Sequence, residues 1–361
     1  MTHGAPARRA PVPSEAAAPK GRATLRDVAL LAGVSPKTVS RVVNGETGVS
    51  AEKVTAVQRA VAKLGYRPNF TASSLRRAGG RTAAIAALLE DVSNPFSSAL
   101  HRALEDIARD RGVMIFTGSV DEDPARERAL INAFTTRQAD ALVIVPASDD
   151  QRYLANEVYA GTPIVFVDRP PVGVNVDAVL VDNHAGAAEA VHHLVAAGHR
   201  DIAYLGDLRS IATGRQRFQG YREALSDHGI RPSPDHVVHD LHTEARAQQA
   251  ALGLLRGPTP PTALFTAQNL VTIGAVRALR ALDLHHRVAL VGFDDFPLAD
   301  LLQPPVTVVA QDPASMGRLA ASLIFRRLDG EDWEPTTHLV ATRLVARGSG
   351  EIPGPYAPAS P

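Results

Sequence analysis

Apolar positions at helical spacing mark three short segments between residues 25 and 64, and aliphatic runs alternating with longer amphipathic stretches fill the chain from residue 83 onward. Thr24 and Asp27 stand three residues apart, as in a capping box, and predict a helix over 25–32. Gly33 supplies a positive-φ turn, and Ser35-Pro36 starts a second helix with an N-cap hydroxyl and proline at its first position. Val39, Val42 and Val43 then face inward against Val28 and Leu31, which leaves Pro36, Lys37, Thr38, Ser40 and Arg41 facing out. Asn44-Gly45 stops this helix. A third helix carries Val54, Val57, Val61 and Leu64 inward and ends at Gly65. Two helices joined by so short a turn define a helix-turn-helix, whose second member enters the major groove of DNA by its N-terminal end. The alternative is a structural three-helix bundle.

Farther on, the runs 83–89, 113–117, 141–145 and 164–167 read as buried strands separated by helices over 96–111, 125–137 and 151–160. A second set of strands, 202–205, 237–239, 263–266 and 289–292, alternates with helices over 184–197, 215–228, 245–255 and 272–282. Continuous aliphatic strands linked by helices imply parallel sheets covered on both faces, and two sets imply two lobes. A strand over 307–310 precedes a last helix over 313–328, and periodicity alone does not assign that helix to a lobe.

Charge decides against the plain bundle. Residues 22–81 hold eleven Lys and Arg against three Asp and Glu, about plus eight, while the whole chain sums to zero. All four lysines, Lys20, Lys37, Lys53 and Lys63, lie at this end. A basic head on an acidic body is the electrostatic footprint of phosphate-backbone binding.

The motifs Thr24-Leu25-Arg26-Asp27-Val28-Ala29, Ala32-Gly33-Val34-Ser35, Thr38-Val39-Ser40-Arg41-Val42-Val43-Asn44 and Gly65-Tyr66-Arg67-Pro68-Asn69 resemble those of the LacI/GalR family of bacterial repressors. The resemblance implies an all-α helix-turn-helix head (23–69) after a disordered tail (1–22), then a hinge helix or linker (70–81). An α/β two-lobed body like periplasmic sugar-binding proteins follows (82–348), with a flexible tail beyond (349–361). The chain is expected to cross between lobes near Asp182, Gln311 and Trp333, giving one lobe 82–182 with 311–333 and another 183–310 with 334–348.

By the same resemblance Pro36, Lys37 and Arg41 choose the operator bases, while Thr38, Ser40 and Asn44 mostly fix register on phosphates and Thr24 and Asn69 are further DNA contacts; Arg and Lys suit guanine edges and hydroxyls suit phosphates. Ala72 and Leu75 belong to a hinge that orders on DNA, with Leu75 the wedge between base pairs. The effector contacts implied are Asn94, Phe96, Arg169, Thr213, Arg217, Gln268 and Asp294, a set suited to a sugar or other polyol. Three positions depart from the family pattern: Ser97 replaces a frequent aromatic, Gln268-Asn269 replaces Asn-Asp, and Leu241 stands where some members stack a purine. The expected partners are a palindromic double-stranded operator, a carbohydrate effector and a second copy of the chain.

No run approaches the roughly eighteen apolar residues that span a bilayer, and the N-terminal stretch lacks the apolar core of a secretory signal, so a cytoplasmic protein without membrane partner is expected. The pairs His192-His193 and His285-His286 lack metal-ligand spacing. No nucleophile elbow, phosphate loop or dinucleotide fingerprint occurs, so an enzyme, a cofactor and a metal are not expected. The competing reading is a sugar sensor whose basic head attaches to DNA without sequence preference.

Overall fold

Local capping chemistry shapes the amino-terminal unit of the computed structural model, which describes residues 23–44, 46–66 and 82–357. The hydroxyl of Thr24 accepts the Asp27 amide at 3.3 Å and the Asp27 carboxylate accepts the Thr24 amide at 2.7 Å, closing the first turn of α1 (Leu25–Ala32). Gly33 follows at φ 65°, a conformation that costs a Cβ-bearing residue free energy. Ser35 caps α2 (Pro36–Val43) through the Thr38 amide. The third helix, α3 (Ala51–Leu64), ends at left-handed Gly65.

Val28, Ala29, Val39, Val57 and Ala60 form the buried centre of this unit, with Leu25, Ala32, Val42, Val43, Val61 and Leu64 packed around it. The inward stripe of α1 is thus 25, 28, 29 and 32. Leu31 lies off that stripe and is 44 % exposed, contrary to the inward position expected for it.

The second unit begins at Ala83 and holds two six-stranded sheets. The first contains β1 (Ala84–Leu89), β2 (Met114–Ser119), β3 (Ala141–Ile144), β4 (Ile164–Val167), β5 (Asp177–Val181) and β11 (Thr337–Val340), in the order β11-β5-β4-β3-β1-β2, parallel throughout. The second contains β6 (Ile202–Leu205), β7 (Val237–Val238), β8 (Ala263–Thr266), β9 (Ala289–Phe293), β10 (Thr307–Ala310) and β12 (Arg343–Val345), in the order β12-β10-β9-β8-β6-β7. Only β12 runs antiparallel to its neighbour in that sheet.

Alternation along each strand feeds two cores per lobe. In the first lobe Ile85, Ala87 and Leu89 face Leu100 and Leu104 of α4 (Pro95–Asp110), whereas Ala86 and Leu88 face Ile131 of α5 (Pro124–Thr136) and Leu154. Short α6 (Ala155–Tyr159) completes that side. In the second lobe α7 (Asn183–Ala196) and α8 (Ala212–Asp227) cover one face, and α9 (Glu244–Leu255) and α10 (Asn269–Ala281) cover the other. The last helix, α11 (Pro313–Leu328), packs on α4 in the first lobe.

The last crossing between lobes falls at residues 341–342 rather than near Trp333, because β11 adds to the first sheet beside β5. Asp177, buried at the start of β5, explains the delay: it accepts from Arg327 Nε at 2.6 Å, Trp333 Nε1 at 3.0 Å and the Thr336 amide at 2.9 Å. These bonds hold the returning chain on the first lobe. The helix expected over 151–160 is divided into a 3-10 turn and α6, and the strand expected over 237–239 is two residues long.

The tail expected to be flexible from 349 onward is packed as far as its described residues go. Ser349 is buried and exchanges backbone and side-chain bonds with Leu290, Ile352 O meets His199 at 2.9 Å, and the Gly354 amide donates to Ala197 O at 2.8 Å. The anticipated tail over 1–22, Gly45 and the linker with Asn69, Ala72 and Leu75 lie outside the described residues.

Candidate nucleic-acid face and interlobe cleft

The turn set by Gly33 presents the start of α2 outward: Pro36 and Lys37 are exposed, Thr38 and Ser40 half-buried. Thr38 shares a 2.9 Å hydroxyl–hydroxyl bond with Ser35, and Asn44 donates to Ser40 at 3.4 Å. Thr24 is engaged in its capping box. Arg41 folds over the loop that follows α2, donating to Thr47 O at 2.6 Å and pairing with Glu46 at 3.3 Å. Among the described residues Lys37 makes no ion pair, while Arg41 ties the α2–α3 loop.

In the body, the effector candidates gather where parallel strands end, the place where open α/β sheets bind ligands. Arg217 of α8 is buried and donates from Nε to Asn183 Oδ1 and from Nη1 to Ala267 O, both at 2.8 Å. It faces Asp294 at 3.4 Å and lies 3.9 Å above the Phe293 ring. Asp294 also accepts from Gln311 Nε2 at 2.5 Å, at the point where the chain crosses lobes. On the other lobe Arg169 grips Glu122 with two bonds, at 2.7 and 2.5 Å, and donates to Pro146 O at 2.8 Å.

Asn94 caps α4 through the Phe96 amide at 3.0 Å and reaches across to Asn269. Gln268 turns its carbonyl oxygen inward to cap α10, accepting from Leu270 and Val271 at 3.1 and 3.3 Å. Thr213 is buried in the first turn of α8. Three members of the set line two open recesses, and Asn94, Thr213, Arg217 and Gln268 line neither. Arg169 shares an open one of about 930 Å³ with Ser148, Ser210, Arg215 and Gln219, while Phe96 and Asp294 share another of about 570 Å³ with Gln311.

Residues not singled out in the sequence complete the cleft. Asp168 and Asp294 occupy equivalent positions after β4 and β9, both left-handed at φ 71° and 69°. Burial raises the Asp168 carboxyl above its ordinary range against the pull of Arg169 and Arg217. Between lobes His242 meets Asp207 at 2.8 Å and Glu90 at 3.4 Å, and these two hydrogen bonds, outweighing burial, push it up to about 10. Glu90 is itself raised by burial, only partly offset by His242. Glu90, Glu122 and His242 are close enough together to ask whether they hold a metal. The Arg169 guanidinium already occupies both oxygens of Glu122, and the position between Glu90 and Asp207 is taken by His242. That donor set suits a proton and a guanidinium better than a metal ion.

A reading head on a basic unit, joined in one chain to two parallel lobes that close on buried polar side chains, is the design of a DNA-binding transcriptional regulator. Residues 24–69 match the model of bacterial regulatory proteins, lacI family, and 191–350 match the periplasmic binding protein-like domain. The transcriptional regulator CelR of Thermobifida fusca is 33 % identical over 339 residues, 91 % of this chain and 98 % of that relative. A solved structure described as a transcriptional regulator CelR–cellobiose complex aligns with 32 % identity and a TM-score of 0.66 over 91 % of this chain and all of that one. A lac repressor dimer bound to operator and the anti-inducer ONPF aligns with 26 % identity and a TM-score of 0.77 over 91 % of this chain and 99 % of that one. The chain belongs to the lacI family of bacterial regulatory proteins. Among the described residues no helix is long and apolar enough to cross a membrane.

Proposed function

We propose that the protein is a homodimeric repressor that binds a palindromic operator and answers to an uncomplexed small polyol, a sugar or sugar derivative, held between its lobes. The observation that carries the reading is the buried Arg217–Asp294 pair beside the Gln311 crossing, since a ligand engaging it acts where the lobes are joined. Asn94, Phe96, Arg169, Thr213 and Gln268 are the remaining contacts of this reading, with Asp168 and Asn269 added. Cellobiose in the CelR complex supports a carbohydrate, and the operator-bound lac repressor dimer supports a palindrome read by two heads.

Pro36 and Lys37 read bases with Arg41, while Thr24, Thr38, Ser40, Asn44 and Asn69 set register, and Leu75 with Ala72 works the minor groove. Self-association is supported by apolar surface: Met114 and Phe116 on edge strand β2 are 64 % and 38 % exposed, and Leu298 and Leu301 are 64 % and 69 % exposed. An effector that prefers one lobe arrangement changes operator affinity by its differential binding energy, about 1–3 kcal/mol or roughly 5- to 150-fold.

Footprinting of the full chain on DNA upstream of its own reading frame, with and without candidate sugars, tests this. Protection of a short palindrome at moderate salt, altered by a sugar, is the expected result. Uniform, salt-sensitive coating of any duplex refutes it and leaves the nonspecific sensor. Asp294→Ala removes the sugar response while operator binding persists.

A further inference from the structure

The cleft carries a continuous belt of charge from one lobe to the other. Asp207 and Glu90 flank His242, Glu90 lies in the field of Glu122 and Arg169, Arg169 binds Glu122, and Asp168 lies in the field of Arg169, Arg217 and Asp294. Among the described residues this belt holds five carboxylates, Glu90, Glu122, Asp168, Asp207 and Asp294, against three cations, Arg169, Arg217 and His242. All eight side chains are 26 % exposed or less. Every cation is committed: Arg169 to Glu122, Arg217 to Asn183, Ala267 O and Asp294, His242 to Asp207 and Glu90. At the open recess Arg215 is matched by Asp149 at 3.0 Å. Asp168 is paired with Arg169 through the field alone. It is 9 % exposed, its nearest cationic atom, Arg169 Nε, stands at 3.7 Å, and no hydrogen bond reaches its carboxylate among the described residues.

We infer that the cleft selects its effector by charge, accepting polyols that are neutral or carry a basic amine and rejecting those that carry phosphate or carboxylate. This rests on the proposal that a polyol binds there, and sharpens it. Among the described residues the buried donor of the belt that lacks a hydrogen bond is Arg169 Nε, and it stands 3.7 Å from the Asp168 carboxylate, so an anion that reaches it meets that charge; taking Arg169 or Arg217 from its carboxylate leaves that carboxylate buried and unpaired. A hydroxyl or ammonium group instead donates to Asp168, the acceptor that lacks a donor.

Calorimetry on the full chain tests this with matched series on pentose, hexose and disaccharide scaffolds: the parent sugar, its amino-deoxy form, its phosphate and its uronate. The phosphate and uronate are expected to bind at least about tenfold more weakly than the parent, and the amino form at least as tightly, an advantage that disappears above the pKa of the amine. Asp168→Asn, which keeps shape and removes one negative charge, narrows the anionic penalty. The amine comparison uses the unaltered chain and is independent of how that variant folds. An anionic member that binds as well as its parent overturns the inference, as does a penalty unmoved by Asp168→Asn and by salt, which is steric. Failure of every member to bind removes the polyol reading itself.

Discussion

The amides of Asn94 and Asn269 exchange two hydrogen bonds, at 2.9 and 3.4 Å, between the loop after β1 in one lobe and the start of α10 in the other. Both side chains are buried, so each supplies the partner that the other lacks when the lobes separate. Alanine at both positions, combined in a double-mutant cycle, is expected to show about 1 kcal/mol of coupling in chemical denaturation of the ligand-free chain. Strict additivity means that the lobes do not hold this arrangement in solution.

Lys37 and Arg41 differ in what they hold. Lys37→Ala is expected to relax base preference by about 1–3 kcal/mol in binding-site selection and to leave head stability within roughly 0.5 kcal/mol. Arg41→Ala also releases Glu46 and Thr47, and lowers head stability by about 1 kcal/mol in thermal melts. Equal melting of the two variants contradicts the loop-tying role of Arg41.

His242 gives the body an alkaline weakness. Because folding raises it from 6.5 to about 10, its contribution is complete below about 6.5 and is lost as pH climbs through about 10. Unfolding free energy is expected to fall by on the order of 1–3 kcal/mol between about pH 7 and pH 10, and His242→Gln flattens that slope. A slope identical in the variant assigns the loss to other groups.

Asp177→Ala strips the buried counter-charge from Arg327 and the acceptor from Trp333 and Thr336. The expected cost is about 3 kcal/mol, because Arg327, 17 % exposed, loses its buried counter-charge and keeps only the exposed Asp332 at 3.9 Å as an ion-pair partner. Denaturation that shifts by less than about 1 kcal/mol shows that the return of the chain is held by strand pairing instead.

Local chemistry made the head legible: the Thr24–Asp27 box, Gly33 and Ser35-Pro36 act within a few residues of themselves, and the outward position of Lys37 follows from helical spacing. The central strands were legible as continuous aliphatic runs. β5, β11 and β12 were not, since DAVLV starts on a charge and the other two are short and half-polar. Arg217 and Asp294 came from family motifs, but their contact spans 77 positions and exists only through sheet topology. His242 and Asp207 were missed for the same reason. Asp168 had a signal: it follows β4 as Asp294 follows β9, a repeat visible once the two lobes are superposed in strand order.

The position of β11 bears on synthesis at the ribosome. The edge of β5 stays open, and the α4 side of its sheet lacks α11, until residues 313–340 have emerged from the exit tunnel. The nascent first lobe therefore waits, with an unpaired parallel edge, while the entire second lobe is translated, and that interval is when it is most exposed to misassociation or in need of a chaperone.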